Sequence, residues 1–349
     1  MDGTLTPKRI NLALQGGGAH GAFTWGVLDA LLQDEEIEIA AISGTSAGAL
    51  NGAALKAGLV AGGREAALNN LDWLWAQIGA NTDPTLGPWL AAFSPAAGVW
   101  AKALEYSPGY AAFDFTTRIL SPYSFGPFLP NPLERIVQSL RFDAVCAAEG
   151  PALFVCATNV RSGKIKVFTG EEISPKTILA SACLPSLFRA VEIDDPIAGR
   201  REAYWDGGYT GNPALFPLFD KALPDDLLVV NINPLYREAL PTDPQSIANR
   251  INEISFNSSL LRELRAISFV KRLLADGTLR KGQMKDVLVH MIADDALMNR
   301  LSVATKTIPA PVILDQLRTA GSDAAKAFLH NHKSDLGKRS TVDLAAMFG

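Results

Sequence analysis

Ile37-Glu38-Ile39-Ala40-Ala41-Ile42-Ser43-Gly44-Thr45-Ser46-Ala47-Gly48 carries an apolar stretch into a Gly-x-Ser-x-Gly turn, and Ala49 to Ala57 behind it reads as a helix of small residues. A serine between two glycines, where a strand turns sharply into a helix, is a nucleophile elbow. Only glycine fits beside the serine in so tight a turn, so Gly44 and Gly48 support it and the Ser46 side chain stands clear of the backbone. Unpaired N–H groups and the positive end of the helix dipole then face whatever negative charge develops there. The chain has 29 glycines, so the pentapeptide alone says little; the strand before it and the helix after it give it meaning.

Upstream, Ile10 to Leu14 alternates like a strand and runs into Gly16-Gly17-Gly18-Ala19-His20-Gly21. Phe23, Val27, Leu28, Leu31 and Leu32 then recur at helical spacing. A strand, a glycine loop and a helix place backbone N–H groups where they bind negative charge. The same loop satisfies G-x-G-x-x-G, so a nucleotide-binding enzyme is a second reading. That fold wants an acidic residue closing the next strand to hold a ribose, whereas here the strand closes with Ile42-Ser43 and enters the elbow.

Downstream, further strands are expected at Ala152–Thr158, Lys164–Phe168, Ala190–Ile193, Glu202–Trp205, Leu227–Ile232 and Asp286–Ile292. Helices are expected at Leu68–Ile78, Leu133–Leu140, Pro175–Ala182, Ile247–Leu274, Val312–Ala320 and Asp323–His332. Strands alternating with helices imply a three-layer α/β/α fold around a mostly parallel central sheet. Residues 1–7 read as a flexible tail, 8–234 as the catalytic domain, and 235–349 as a mainly helical C-terminal extension that completes the fold or makes a dimer or membrane contact. Within the catalytic domain, residues 81–132 are rich in proline and aromatic side chains and poor in charge. They read either as short helices over the core or as a lid, and in both cases as a wall for an apolar acyl site.

Composition narrows the function. At 349 residues, 48% hydrophobic and 19% charged, the chain buries a sizeable core. A net charge of −4 gives nucleic-acid binding no electrostatic support. Three cysteines without tight spacing imply neither a disulfide framework nor a zinc site. The N-terminus has no secretory signal and no run of about 18 apolar residues spans a bilayer. The expectation is therefore a cytoplasmic protein whose membrane contact, through the aromatic stretch Trp89 to Phe128 or the basic helix near Arg262, is peripheral.

A serine nucleophile needs a base. The four histidines offer little: His20 lies in the glycine loop, His290 in an apolar strand, and His330 and His332 in a polar segment. A Ser46, Asp206, His290 triad is allowed in order, but that histidine belongs on a loop rather than inside a strand. Asp206 leaves a strand into Gly207-Gly208 and can itself act as the base if burial raises its basicity.

Taken together these motifs resemble the patatin-like phospholipases. The glycine loop, the elbow and Asp206-Gly207-Gly208 with Asn212-Pro213 stand in that family's order, and Ala180-Ser181-Ala182 resembles its Ala-Ser segment before the aspartate. The resemblance covers about Lys8 to Pro234. It implies a Ser46–Asp206 dyad, an oxyanion hole at Gly16, Gly17 and Gly18 with Gly21 as motif support, and hydrolysis of phospholipid or other acyl-ester lipids with no cofactor and no metal. Non-catalytic lipid- or partner-binding relatives, and homo-oligomers, are compatible with it. The family's usual Arg or Lys before the last glycine of the loop is His20 here, a substrate contact by position. A histidine near a helix N-terminus is biased toward the neutral form, so weak recognition of anionic headgroups is expected.

Overall fold

The computed structural model describes residues 7–80, 107–108, 121–124, 131–196, 198–280 and 282–348. Most of the 81–132 segment lies outside these residues. Eight strands form one sheet: β1 (Lys8–Leu14), β2 (Ile37–Thr45), β3 (Ala152–Asn159), β4 (Ile165–Thr169), β5 (Val191–Asp195), β6 (Arg200–Asp206), β7 (Asp226–Asn231) and β8 (Leu288–Ala293). Their order is β5-β6-β3-β2-β1-β7-β8, with β4 paired to β3 off this path. The strands from β3 through β8 along that order run parallel, and β4, β5 and β6 add antiparallel pairs at one side. This is the mostly parallel α/β sheet expected from the alternation of strands and helices.

Period-two alternation divides the sheet into two faces. Ile10, Leu12 and Leu14 of β1 pack with Leu228 and Val230 of β7 against helices α1 (Gly21–Gln33) and α2 (Ala47–Ala80). Ala13, Leu227 and Val229 point the other way, onto Leu260, Leu264 and Ile267 of α4 (Pro244–Ala275). The helices Ala49–Ala57 and Leu68–Ile78 of the sequence reading belong to α2, which is interrupted at Gly62 and Gly63. Between β4 and β5, α3 (Pro175–Ser181) starts in a capping box from Ser174 and Thr177.

The last third of the chain is built into the same core. β8 pairs with β7 along its length. The helices expected at Val312–Ala320 and Asp323–His332 are one, α6 (Pro311–His332), preceded by the short α5 (Val303–Thr307). The glycine that suggested a break, Gly321, is a packing residue: a Cβ there would come within 2.0 Å of the Phe23 carbonyl oxygen, and one on Gly26 within 1.8 Å of that of Arg318. The backbones of α1 and α6 therefore cross with no side chain between them. Arg318 secures the crossing, with Asp29 at 2.7 Å, Asp72 at 2.8 Å and its guanidinium 3.9 Å from the Trp25 ring centre. Residues on both sides of position 234 contribute to the buried clusters on the two faces of the sheet.

Candidate active site

The register of β3 brings Ser46 and Asp206 together. Its Cys156 pairs with Thr45, the last residue of β2, while Val167 of β4 occupies the opposite edge. The next residue of β3, Ala157, pairs with Asp206, the last residue of β6. Thr158 again has β4 on one side and β6 on the other. Hence β6 docks, antiparallel, onto the edge that β2 vacates when it turns at Ser46. Two strand ends meet head to head on one neighbour, and their terminal residues become neighbours.

Ser46 has φ 53°, the only non-glycine residue with positive φ among the described residues. Its backbone N–H donates to Ser181 Oγ at 2.9 Å, and Ser181 Oγ donates in turn to the Cys156 carbonyl at 2.6 Å. Thr45 Oγ1 donates to the Gly211 carbonyl at 2.6 Å, tying the turn to the loop beyond Asp206. Gly48 lets the first turn of α2 lie on β1, since a Cβ there would meet the Leu14 carbonyl oxygen at 2.1 Å. The side chain so displayed is 8% exposed.

Asp206 is 1% exposed. Its Oδ1 accepts from the Gly208 N–H at 2.7 Å, and its main chain is fixed by Cys183 O and Thr158 Oγ1, both at 2.8 Å. Burial pushes its carboxyl up to about 7, opposed by the Gly208 amide and the nearby Ser46 hydroxyl. Removal from water penalises the carboxylate, and two donors cancel only part of that penalty. A buried carboxylate beside a serine, with its proton affinity raised toward neutrality, can take a proton from it and return one.

The glycine loop lies against Ser46. A Cβ on Gly16 would reach 2.8 Å from Ser46 Cβ, so only glycine permits this approach. The Gly16 N–H, however, is already committed to Asn212 Oδ1 at 2.6 Å. Asn212 Nδ2 donates back to Gly16 O at 3.3 Å, and Asn233 Nδ2 donates to the same oxygen at 2.9 Å. Of the three glycines expected to form an oxyanion hole, Gly16 is thus a fixed point. Gly17 is half-buried and Gly18 exposed.

Sequence reasoning missed the groups that hold this loop. Gln15 Oε1 accepts from the N–H groups of Ile232 and Asn233, at 2.9 and 3.1 Å, and Gln15 Nε2 donates to Asn257 Oδ1 at 3.2 Å. Ser259 Oγ accepts from the Asn212 N–H at 3.0 Å. Glu263 accepts from the N–H groups of Leu215 and Phe216 and is pushed up to about 7 by burial. Lys306 donates to Asn233 Oδ1 at 2.8 Å, and burial brings its ammonium down to about 8. A polar residue directly after an apolar strand, as Gln15 follows β1 and Asn233 nearly follows β7, is the one signal in the sequence for this network. Nothing in the pattern of α4 distinguishes Asn257, Ser259 and Glu263 from solvent-facing residues.

His20 is not where a substrate contact should be. It is 1% exposed, with Nε2 2.8 Å from Thr305 Oγ1, beneath α5. Desolvation, with smaller contributions from Lys306 and Arg237, holds it well below the usual imidazole range, so it is neutral. His290 is fully buried in β8, three strands from β2, between Asp226 Oδ1 at 2.9 Å and Thr341 Oγ1 at 3.1 Å. It therefore does not join Ser46 and Asp206 in a triad. Among the described residues no three or more His, Cys, Asp or Glu group into a metal-holding set.

Among solved structures the chain is similar to VipD from Legionella pneumophila, at 15% identity and a TM-score of 0.42, over 93% of this chain and 67% of that one. It is also similar to a chain of the heterodimeric ExoU–SpcU complex from the type III secretion system of Pseudomonas aeruginosa, at 17% identity and a TM-score of 0.26, over 94% of this chain and 61% of that one. A comparison with curated proteins gave no match. The profile of the patatin-like phospholipases matches residues 12–219, which includes the glycine loop, the serine turn and Asp206. With well over half its length inside that match, the chain belongs to the patatin-like phospholipase family.

Proposed function

We propose that this protein is a serine lipid acyl hydrolase of the phospholipase A or esterase type, with Ser46 as nucleophile and Asp206 as its base. The observation that carries the reading is the meeting of two strand ends on β3, which sets Ser46 at its glycine turn beside the buried carboxyl of Asp206. As Ser46 Oγ attacks the ester carbonyl, Asp206 takes the hydroxyl proton. The tetrahedral oxyanion is held by the amides of Gly17 and Gly18, Gly16 serving to seat them. When the intermediate collapses, Asp206 gives its proton to the departing alcohol and the acyl group stays on Ser46. Water then attacks the acyl-enzyme, losing a proton to Asp206, and Asp206 returns that proton to Ser46 Oγ as the fatty acid leaves.

The family position that carries a cation is a buried, neutral His20, so the loop offers no permanent charge to a lipid phosphate. Neutral acyl esters are accordingly expected to be cleaved about as readily as phospholipids of the same chain length.

The test is a lipid and short-chain ester panel with a fluorophosphonate label. Ser46→Ala and Asp206→Asn should each lower kcat by at least about 1,000-fold, Ser46 should carry the label, and His290→Ala should keep most of the activity of its folded fraction. Full activity in Asp206→Asn would refute the dyad, and labelling of another residue would refute the nucleophile.

A further inference from the structure

The first half of helix α4 buries several polar residues and exposes apolar ones. Its inward side near the site carries Glu253, Asn257 and Ser259, all buried. They hold Arg237, Gln15 and the Asn212 amide respectively. Its outward side carries Ile247, Ile251 and Ile254, which are 41%, 63% and 54% exposed. At spacings of four and three residues these share one face. Continuing along that face come Arg262, Arg265, Phe269 and Arg272, all exposed, with Phe269 51% exposed. The face is about 38 Å long at the rise of an α-helix.

No carboxylate interrupts it. The exposed residues of α4 are Ile, Arg, Phe, Ala and Pro, and its two glutamates turn inward, Glu253 to Arg237 and Glu263 to the amides of Leu215 and Phe216. The exposed acids next along the chain, Glu238, Asp243 and Asp276, lie outside the helix. Among the described residues none of the three arginines forms an ion pair. Arg265 lies over the Phe348 ring and Arg272 over Phe269. Water alone does not account for a row of exposed isoleucines on a helix that already has a buried apolar side.

The opposite, buried side of the helix adjoins the site. Phe256 of α4 packs on Tyr209, their ring centres 5.4 Å apart, and a Cβ on Gly208 would meet Phe256 at 2.1 Å. Tyr209 stands three residues beyond Asp206 and is exposed. An apolar half continuing into an arginine half on the outward face matches the two-part chemistry of a membrane interface. The isoleucines would enter the acyl boundary while the arginines stay with anionic headgroups.

We infer that the outward face of α4 is the surface on which this protein docks onto an anionic bilayer. The inference rests on the lipid hydrolase reading for its purpose but is measured without catalysis. Full-length Ser46→Ala protein is to be sedimented with vesicles of phosphatidylcholine, and with vesicles in which about one-third is phosphatidylglycerol. Binding to the mixed vesicles is expected, weaker on the neutral ones and weakened by salt. Adding Ile251→Ser and Ile254→Ser should weaken it about tenfold or more. Adding Arg262→Glu and Arg272→Glu should abolish the preference for the anionic lipid.

Both isoleucines are exposed, so the same pair of changes in an otherwise wild-type background should leave the melting temperature and turnover of a soluble short-chain ester unchanged; that turnover also reads the dyad separately. Absence of vesicle binding, binding indifferent to the isoleucines, or a solution dimer that those substitutions dissolve would overturn the inference. A vesicle-binding protein without ester turnover would instead overturn the dyad and leave the docking face standing.

Discussion

Asn212 holds Gly16 from both sides of its peptide, accepting from the N–H at 2.6 Å and donating to the carbonyl at 3.3 Å. The loop that approaches Ser46 is thereby fixed to the segment that follows Asp206. Asn212→Ala leaves a buried amide without its partner, at a cost of about 1–3 kcal/mol. The larger effect is expected on catalysis: kcat for a soluble ester should fall about 10- to 100-fold, with KM little changed, because the oxyanion donors lose their seat. Steady-state kinetics on the folded variant checks this; a change in KM alone would place Asn212 in substrate binding.

Activity should follow the ionisation of Asp206. Only the carboxylate can accept the Ser46 proton, and burial sets it near 7. The pH profile of kcat/KM should therefore rise through about pH 7 and level off above it, without a descending alkaline limb before pH 9. A profile flat from pH 5 to 9 would remove Asp206 from the role of base.

Stability should move in the opposite direction. A carboxyl raised from its ordinary value of 3.8 to about 7 binds more protons folded than unfolded between those limits, so its contribution declines as pH rises across that window. The loss is complete above the folded value. Asp206→Asn should consequently be more stable than wild type at pH 8, by about 1–4 kcal/mol, with the gap closing toward pH 4. Denaturant melts at the two pH values measure it. Glu263 titrates with the same sign and is untouched by this substitution, so the difference between the two proteins isolates Asp206.

The C-terminal region should prove indispensable to the fold. Gly321→Leu forces a side chain into the Phe23 carbonyl oxygen, 2.0 Å from where its Cβ would be, and should cost about 3 kcal/mol or more. A chain ended at Pro234 lacks β8 and α6, leaving the edge of β7 and the buried face of α1 uncovered. It should be insoluble or unfolded by circular dichroism; a folded, active fragment would support the boundary at residue 234.

Much of this was legible before any coordinates. Every described strand was marked by an apolar run or an alternation, and Ser46 and Asp206 stood out because each follows a strand into a glycine turn. What stayed hidden depends on distance along the chain. Asn212, Gln15 and Asn257 are ordinary polar residues until the sheet stacks the ends of β1, β6 and β7, and no local pattern encodes that. His20 misled because its position in the motif suggests exposure, whereas α5, some 285 residues later, covers it. Gly321 misled because helix propensity reads a glycine as a break, while the close crossing with α1 requires it.

The left-handed backbone of Ser46, at φ 53°, also bears on which nucleophiles the turn can accept. A threonine hydroxyl has comparable reactivity, but branching at Cβ clashes with the neighbouring peptide in this region of dihedral space. Serine and cysteine, unbranched there, can occupy it. The exchange of hydroxyl donors familiar among surface residues is thus closed at this position by stereochemistry, before any question of reactivity arises.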